Sequence, residues 1–243
     1  MIPINSSVVM WIFTALSGIS TVLSYAVPRF RKNYLIPKMV CSFMFLMTGI
    51  FAAYAYSAEK AMLDTDHTPM LYSILIVIAL FFGLVGDFFV EWREGKHFLI
   101  AAVFFGIGHL TYIYSFAFLV SPSLLGYWKQ ILLGFAALCV VSVIHVIINK
   151  IKFVGKNKLV CIYSLCLMIS FISAVSRGFI CVSGGNTAFG AMLIAAGFLF
   201  LASDGALATM LFGSPLTKRT DAIVLFTYFP AQTLFALSIY FQC

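Results

Sequence analysis

Long apolar runs dominate this sequence and restrict the folds available to it. Of the 243 residues, 63% are hydrophobic and 9% are charged, and the mean hydropathy is +1.06. A soluble domain carries about 25% charged residues, and a bilayer span needs about 20 apolar residues. Eight such runs with short connections use nearly all of the chain, so no soluble domain fits beside them. The sequence predicts an all-α, polytopic integral membrane protein.

We predict one membrane domain over residues 1–243, with eight transmembrane helices and the first span retained. Proline and glycine mark several boundaries, for example Pro28 and Pro37 around the first turn and Gly184-Gly185-Asn186 before the seventh span. The predicted spans are 8–26, 36–57, 70–90, 97–119, 128–149, 158–177, 187–212 and 220–241.

The basic residues are distributed unequally between the two sides of the membrane. Turns 1, 3, 5 and 7, with their flanking residues, hold 12 Lys and Arg residues, whereas turns 2, 4 and 6 hold only Lys60, Lys129 and Arg177. Cytoplasmic loops carry an excess of Lys and Arg. The odd turns are therefore predicted to be cytoplasmic and both termini extracytoplasmic, in either a bacterial cell membrane or the endoplasmic reticulum. The same clustering accounts for the net charge of +7 without a nucleic-acid partner.

Asp87 and Asp204 are the two acidic residues, out of eight, that lie within apolar runs. An ionisable group inside a membrane is costly, and its presence favours a functional role. At about 1.5 Å per residue, both fall in the predicted cytoplasmic half of the bilayer. We predict that they are the catalytic pair; structural pairing with a basic or backbone group is the alternative.

Five further polar residues are predicted to line the substrate pocket. His109 and Tyr112 share one face of the fourth span at i, i+3, and Tyr228 and Gln232 share a face of the eighth at i, i+4. Lys38 opens the second span, where it could extend to the interface, hold a phosphate or pair with an aspartate. All five are candidate substrate-binding residues.

The seventh span is rich in glycine, alanine and serine between Gly190 and Ala208. Small residues let helix backbones approach closely in lipid. This pattern predicts that the seventh helix is central in the bundle, which would keep Asp204 away from lipid.

The polar residues leave two other functional classes open. No metal site is predicted, since C-x-x-C and H-x-x-x-H pairs are absent. Two aspartates and one histidine could nevertheless supply the three ligands of a catalytic zinc, so a metal-dependent lipid amidase or esterase is one alternative. Intramembrane Asp and His residues also build proton relays, so a proton-coupled transporter or channel is the other.

Four short motifs lie in the third, fourth, seventh and eighth predicted spans. They are Gly86-Asp87, Gly108-His109-Leu110-Thr111-Tyr112, Ala202-Ser203-Asp204-Gly205-Ala206-Leu207-Ala208 and Tyr228-Phe229-Pro230-Ala231-Gln232. In order and position they resemble the motifs of the YhhN-like family, which contains the lysoplasmalogenases. The resemblance covers essentially the whole chain, including its length and its eight spans.

The resemblance implies hydrolysis of the vinyl-ether bond of lysoplasmalogen, without a cofactor, to a fatty aldehyde and a glycerophospho-base. The implied partners are this lysophospholipid and the surrounding membrane lipids; the oligomeric state stays open. Asp87 and Asp204 match the family's essential acidic positions. An enol ether needs one carboxylic acid to protonate carbon and one carboxylate to stabilise the oxocarbenium ion or activate water, as in glycosidases. Burial and mutual proximity separate the titrations of two carboxyl groups.

Overall fold

Eight α-helices, with no strand among the described residues, make up the computed structural model and confirm the all-α prediction. The structure describes residues 5–27, 34–59, 68–91, 95–117, 128–148, 158–212 and 218–242. The helices are α1 (Ser6–Ala26), α2 (Leu35–Glu59), α3 (Thr68–Val90), α4 (Gly95–Ala117), α5 (Trp128–Ile148), α6 (Lys158–Ser183), α7 (Thr187–Phe212) and α8 (Lys218–Phe241).

Among the residues that the structure describes, seven helices are long and apolar enough to cross a membrane. In α5, the described side chains form a shorter apolar segment, Gly134–Ile148. A chain with this many helices of membrane length is a multi-pass integral membrane protein. The count of eight crossings and the cytoplasmic side of the odd turns stay predictions.

The helix boundaries lie within two residues of the predicted spans except at the end of α6. There the prediction ends the span at 177, but the helix continues to Ser183. The charge pattern assigned Arg177 to the sixth turn. In the structure it is instead a buried side chain inside a helix. A basic residue usually marks the end of an apolar run, but α6 continues for six residues beyond Arg177.

The turn between α6 and α7 has the residues that its geometry requires. Gly185 has a φ of 95°, a left-handed conformation that favours glycine, and Asn186 N–H donates to the carbonyl of Cys181 at 2.9 Å. The side-chain oxygen of Asn186 then accepts from Phe189 N–H at 3.2 Å, which caps the start of α7. The predicted position of this turn is confirmed.

Helix α8 is the most buried of the seven candidate spans and packs against α1, α2, α3 and α7. The prediction that α7 is the central helix is therefore wrong. Helix α7 packs against α6 and α8 and leaves Ala191, Ala195 and Ala202 exposed. Small residues permit a close approach to a neighbour, but they do not determine how many neighbours a helix has.

Helix α5 packs on α6, where Leu138 contacts Met168 and Ile172 in a small hydrophobic cluster. It is also joined to α7 by His145, whose Nε2 lies 3.1 Å from the carbonyl oxygen of Gly205 and 3.1 Å from Thr209 Oγ1. These contacts attach α5 to the helices that surround Asp204.

Helices α6 and α7 cross closely at Gly178 and Gly190. A Cβ atom at Gly190 would lie 2.7 Å from Val182 Cγ2 and 2.9 Å from the Val182 backbone nitrogen. Gly190→Val is therefore expected to destabilise the protein by about 2 kcal/mol, since backbone atoms cannot move aside as side chains do. Thermal unfolding of the detergent-purified protein measures this loss. Ala191→Val, on the exposed side of the same helix, is the matched control, and equal melting temperatures for the two variants would contradict the close crossing.

Candidate functional site

Both intramembrane aspartates lie toward the same end of the helix bundle. We call this the inner end and define it as the end at which α3 and α7 finish and α4 and α8 begin. Asp87 is three residues before the last residue of α3, and Asp204 is eight residues before the last residue of α7. Charge distribution predicts that this end faces the cytoplasm.

Asp87 is held by polar groups from two neighbouring helices. Ser42 on α2 donates to its Oδ2 at 2.7 Å, and Tyr228 on α8 donates to the same oxygen at 2.9 Å. Lys38 Nζ, one turn before Ser42 on α2, lies 3.6 Å from Oδ1. The aspartate is only 1% exposed. These contacts satisfy a carboxylate that would otherwise be unpaired in a low-dielectric layer.

Lys38 lies between two carboxylates rather than extending freely toward the membrane surface. Besides Asp87, it is 3.9 Å from Glu91 Oε2, and Glu91 follows Asp87 by one helical turn. Of the three roles open to Lys38 from the sequence, pairing with an aspartate is the one that the structure contains. Both distances are longer than a direct charge-assisted hydrogen bond, so these are ion pairs at close range.

A chain of hydrogen bonds extends from Asp87 toward the middle of the bundle. The hydroxyl of Tyr228 accepts from Gln232 Nε2 at 3.2 Å, and Gln232 Oε1 accepts from the hydroxyl of Tyr112 at 2.7 Å. Tyr112, Gln232 and Tyr228 are all buried. The structure thus brings five of the seven sequence-predicted site residues, Asp87 and Lys38 among them, into one network.

Two glycines of α3 create the space that this network occupies. A Cβ atom at Gly83 would lie 2.8 Å from Gln232 Nε2, and one at Gly86 would lie 2.8 Å from ring atoms of Phe105. Any side chain at these positions would displace the amide that bonds Tyr228 or the ring that lies beside it.

Asp204 belongs to a second polar group on α6 and α7. Its Oδ2 accepts a hydrogen bond from the hydroxyl of Tyr163. The side chain is partly exposed, and no described lysine or arginine lies within ion-pair distance of it. Tyr163 is not among the sequence-predicted site residues, because a tyrosine near the end of a span is typical of the membrane interface.

Aromatic rings connect the two carboxylate groups. The ring centroid of Phe105 is 6.2 Å from that of Tyr228 and 6.4 Å from that of Tyr163. On the other side, the ring of Phe200 is 5.5 Å from that of Tyr228. Tyr228 donates to Asp87 and Tyr163 donates to Asp204, so the ring contacts of Phe105 join the two carboxylate groups through their tyrosine partners. The result is one site with two unequal halves rather than two separate sites.

His109 also lies among these aromatic rings. Its ring centroid is 4.9 Å from that of Phe200 and 5.5 Å from that of Tyr163, and the residue is 3% exposed. Neither ring nitrogen has a hydrogen-bond partner in the described part of the chain. A buried polar atom of this kind is rare, and binding of a ligand or a water molecule is one way to satisfy it.

A cavity of about 70 Å³ lies between α4, α6 and α7 at the inner end. Nine of its twelve lining residues are apolar, and the other three are Tyr163, Ser164 and Asp204. Phe105 and Val90 form part of its wall, whereas Asp87 does not reach it. The two aspartates therefore differ in access: Asp204 contacts a space that a ligand could fill.

The described side chains contain no group of three His, Cys, Asp or Glu residues arranged to hold a metal ion. A catalytic zinc normally has three protein ligands. The described residues therefore contain no candidate metal centre for the metal-dependent amidase or esterase alternative.

Comparison with known proteins identifies the family of this chain. The sequence model of the YhhN family matches residues 39–239, which confirms the family suggested by the four motifs. No curated protein and no solved structure matches the chain.

Proposed function

Because this chain belongs to the YhhN family, we propose that it is an intramembrane hydrolase of lysoplasmalogen. It would cleave the vinyl-ether bond and release a fatty aldehyde and a glycerophospho-base. Family membership fits a lysoplasmalogenase-type role. The observation that carries the proposal is the pair of intramembrane carboxylates, Asp87 and Asp204, connected through one set of aromatic rings.

The chemistry of an enol ether requires groups of this kind. Uptake of a proton at the β-carbon leaves an oxocarbenium ion, which the ether oxygen stabilises. Water adds to this cation, and the hemiacetal collapses to an aldehyde and an alcohol. A carboxylic acid can donate the first proton, and a carboxylate can stabilise the cation or activate the water, as the two acidic residues of a glycosidase do.

The remaining site residues would bind the substrate or hold the carboxylates in place. Tyr112, Tyr228 and Gln232 support Asp87 through their hydrogen bonds, and the unbonded ring of His109 can bind a hydroxyl group or a water molecule. Lys38 carries a positive charge at the inner end, where the phosphate of a single-chain lipid would lie. Its ion pairs with Asp87 and Glu91 hold the ammonium group of Lys38 beside the Asp87 carboxylate.

The test is aldehyde release from lysoplasmalogen by the purified protein in detergent. A transporter would move the lipid or protons without releasing aldehyde, and a metal-dependent amidase or esterase would lose activity in a chelator. We expect aldehyde release that a chelator does not reduce. No release under any lipid or detergent condition would contradict the proposed hydrolase.

Asp87→Asn is expected to lower kcat/KM for lysoplasmalogen by about 10²-fold or more, the range typical of a lost acid or base group. Asparagine retains an oxygen that can accept from Ser42 and Tyr228, so the variant tests charge with little change in shape. Aldehyde release at several substrate concentrations gives kcat and KM. Wild-type kcat/KM in a folded Asp87→Asn protein would exclude a pair of essential carboxylates.

A further inference from the structure

The two aspartates differ in partners and in surroundings. Asp87 accepts two hydrogen bonds and pairs with Lys38, whereas Asp204 accepts a hydrogen bond from Tyr163 and has no described cation within ion-pair distance. A lone ionised carboxylate is costly beside apolar groups, and its neutral acid form is much less so. The contacts therefore suit Asp87 to a fixed negative charge and Asp204 to a neutral acid.

The cavity places Asp204 beside apolar side chains and next to a space that a ligand could fill. Asp204 and Tyr163 form its polar wall, and apolar side chains such as Leu167, Leu207 and Phe212 form the rest. At about 70 Å³ it is too small for a whole lipid chain, since an apolar cavity of about 150 Å³ holds a single benzene molecule. It suits the first carbons of a chain next to a reacting bond.

We propose that this cavity binds the vinyl-ether end of the hydrocarbon chain and that Asp204 is the proton donor to carbon. The inference rests on the proposed hydrolase function and assigns its two carboxylates to different steps. Asp87, held by Ser42, Tyr228 and Lys38, supplies the negative charge that stabilises the cation.

The steps balance with water as the only co-reactant. The carboxylic O–H of Asp204 breaks as the π electrons of the double bond form a new C–H bond at the β-carbon. The ether oxygen donates a lone pair to the α-carbon, which leaves the oxocarbenium ion. The Asp204 carboxylate then takes a proton from the water that adds to this carbon. Asp204 then donates that proton to the glycerol oxygen as the C–O bond of the hemiacetal breaks. As the aldehyde forms, the Asp204 carboxylate takes up the hydroxyl proton of the hemiacetal, which regenerates the carboxylic acid.

Filling the cavity tests the binding half of this inference. Ala208 lines the cavity, whereas Ala202, on the same helix, is exposed. Ala208→Leu is expected to lower kcat/KM for lysoplasmalogen by about tenfold or more, while Ala202→Leu leaves it unchanged. Because the added side chain fills an existing cavity, the melting temperature of Ala208→Leu should equal or exceed that of the wild type.

The pattern of activity and stability decides the outcome of that test. Lower activity with retained stability supports a chain-binding cavity. Wild-type activity in Ala208→Leu overturns the cavity assignment, and so does a lower melting temperature that accounts for the lost activity. In all of these cases wild-type aldehyde release still stands as evidence for the proposed function. Absence of aldehyde release from the wild type instead overturns the function itself.

A cationic lipid separates the roles of the two aspartates without turnover. The probe is a single-chain phospholipid with a secondary ammonium in place of the ether group, compared with its saturated ether analogue. We expect the wild type to bind the ammonium lipid at least about tenfold more tightly, as it would an analogue of the oxocarbenium ion. Asp204→Asn should keep this preference and Asp87→Asn should lose it. Every other pattern overturns the assignment of roles.

Discussion

Replacing Asp204 by asparagine is expected to lower lysoplasmalogen turnover by about 10³-fold, the scale on which a general acid contributes to catalysis. Asparagine can still accept the hydrogen bond from Tyr163, but it cannot donate a proton to carbon. The loss should therefore appear in kcat, with the affinity for a saturated ether lysolipid unchanged. Aldehyde release and equilibrium binding of that analogue measure the two quantities separately.

The matched control for this prediction is Asp221→Asn. Asp221 lies in the first turn of α8 and is exposed, so its loss should leave turnover unchanged. Near-wild-type turnover by a folded Asp204→Asn protein would contradict any chemical role for Asp204. A parallel loss of lipid affinity and melting temperature would instead indicate that the residue only supports the fold.

Replacing Lys38 by methionine is expected to destabilise the protein by about 3 kcal/mol, the cost of leaving a buried charge without its partner. Of its described partners, Asp87 would then keep the two hydroxyl donors and lose the cation. Adding Asp87→Asn to Lys38→Met should restore much of the lost stability, because the unpaired charge is removed as well. Unfolding of the detergent-solubilised protein by increasing fractions of SDS measures the stability of the wild type, the two single variants and the double variant, which together form a double-mutant cycle.

Two variants control for the loss of a basic side chain. Lys38→Arg keeps the charge and should retain most of the stability. Glu91→Gln removes the more distant carboxylate, at 3.9 Å from Lys38 Nζ, and should cost less than about 1 kcal/mol. If Lys38→Met were equally destabilising with Asp87 and with asparagine at position 87, the ion pair would contribute nothing to the fold.

The helices could be predicted from the sequence because hydropathy and turn residues act locally. The predicted span 187–212 coincides with α7, and Gly185 and Asn186 form the turn before it. The extension of α6 past Arg177 could not be predicted, since it depends on how the surrounding helices accommodate a basic side chain. The central position of α8 depends on tertiary packing, which the small residues of α7 do not report.

The candidate site was predicted less completely than the fold. Asp87, Tyr228 and Gln232 were found because polar residues stand out in apolar runs. Ser42 and Tyr163 were missed, because serine and tyrosine are common in membrane helices and only the packing of α2 on α3 and of α6 on α7 brings them to the aspartates. Lys38 had three possible roles until those neighbours were known. Residue types predict candidates, and helix contacts select their partners.

The two oxygens of Asp87 are chemically distinct in this fold. An ionised carboxylate offers about four lone-pair sites, two on each oxygen. Ser42 and Tyr228 both donate to Oδ2, so the sites on that oxygen are filled, whereas Oδ1 has the Lys38 ion pair at 3.6 Å and no hydrogen bond from a described residue. A water molecule or a substrate hydroxyl that binds Asp87 must therefore approach Oδ1. The carboxylate acts as a single-oxygen acceptor of defined direction, unlike the freely rotating, symmetric group of a solvated aspartate.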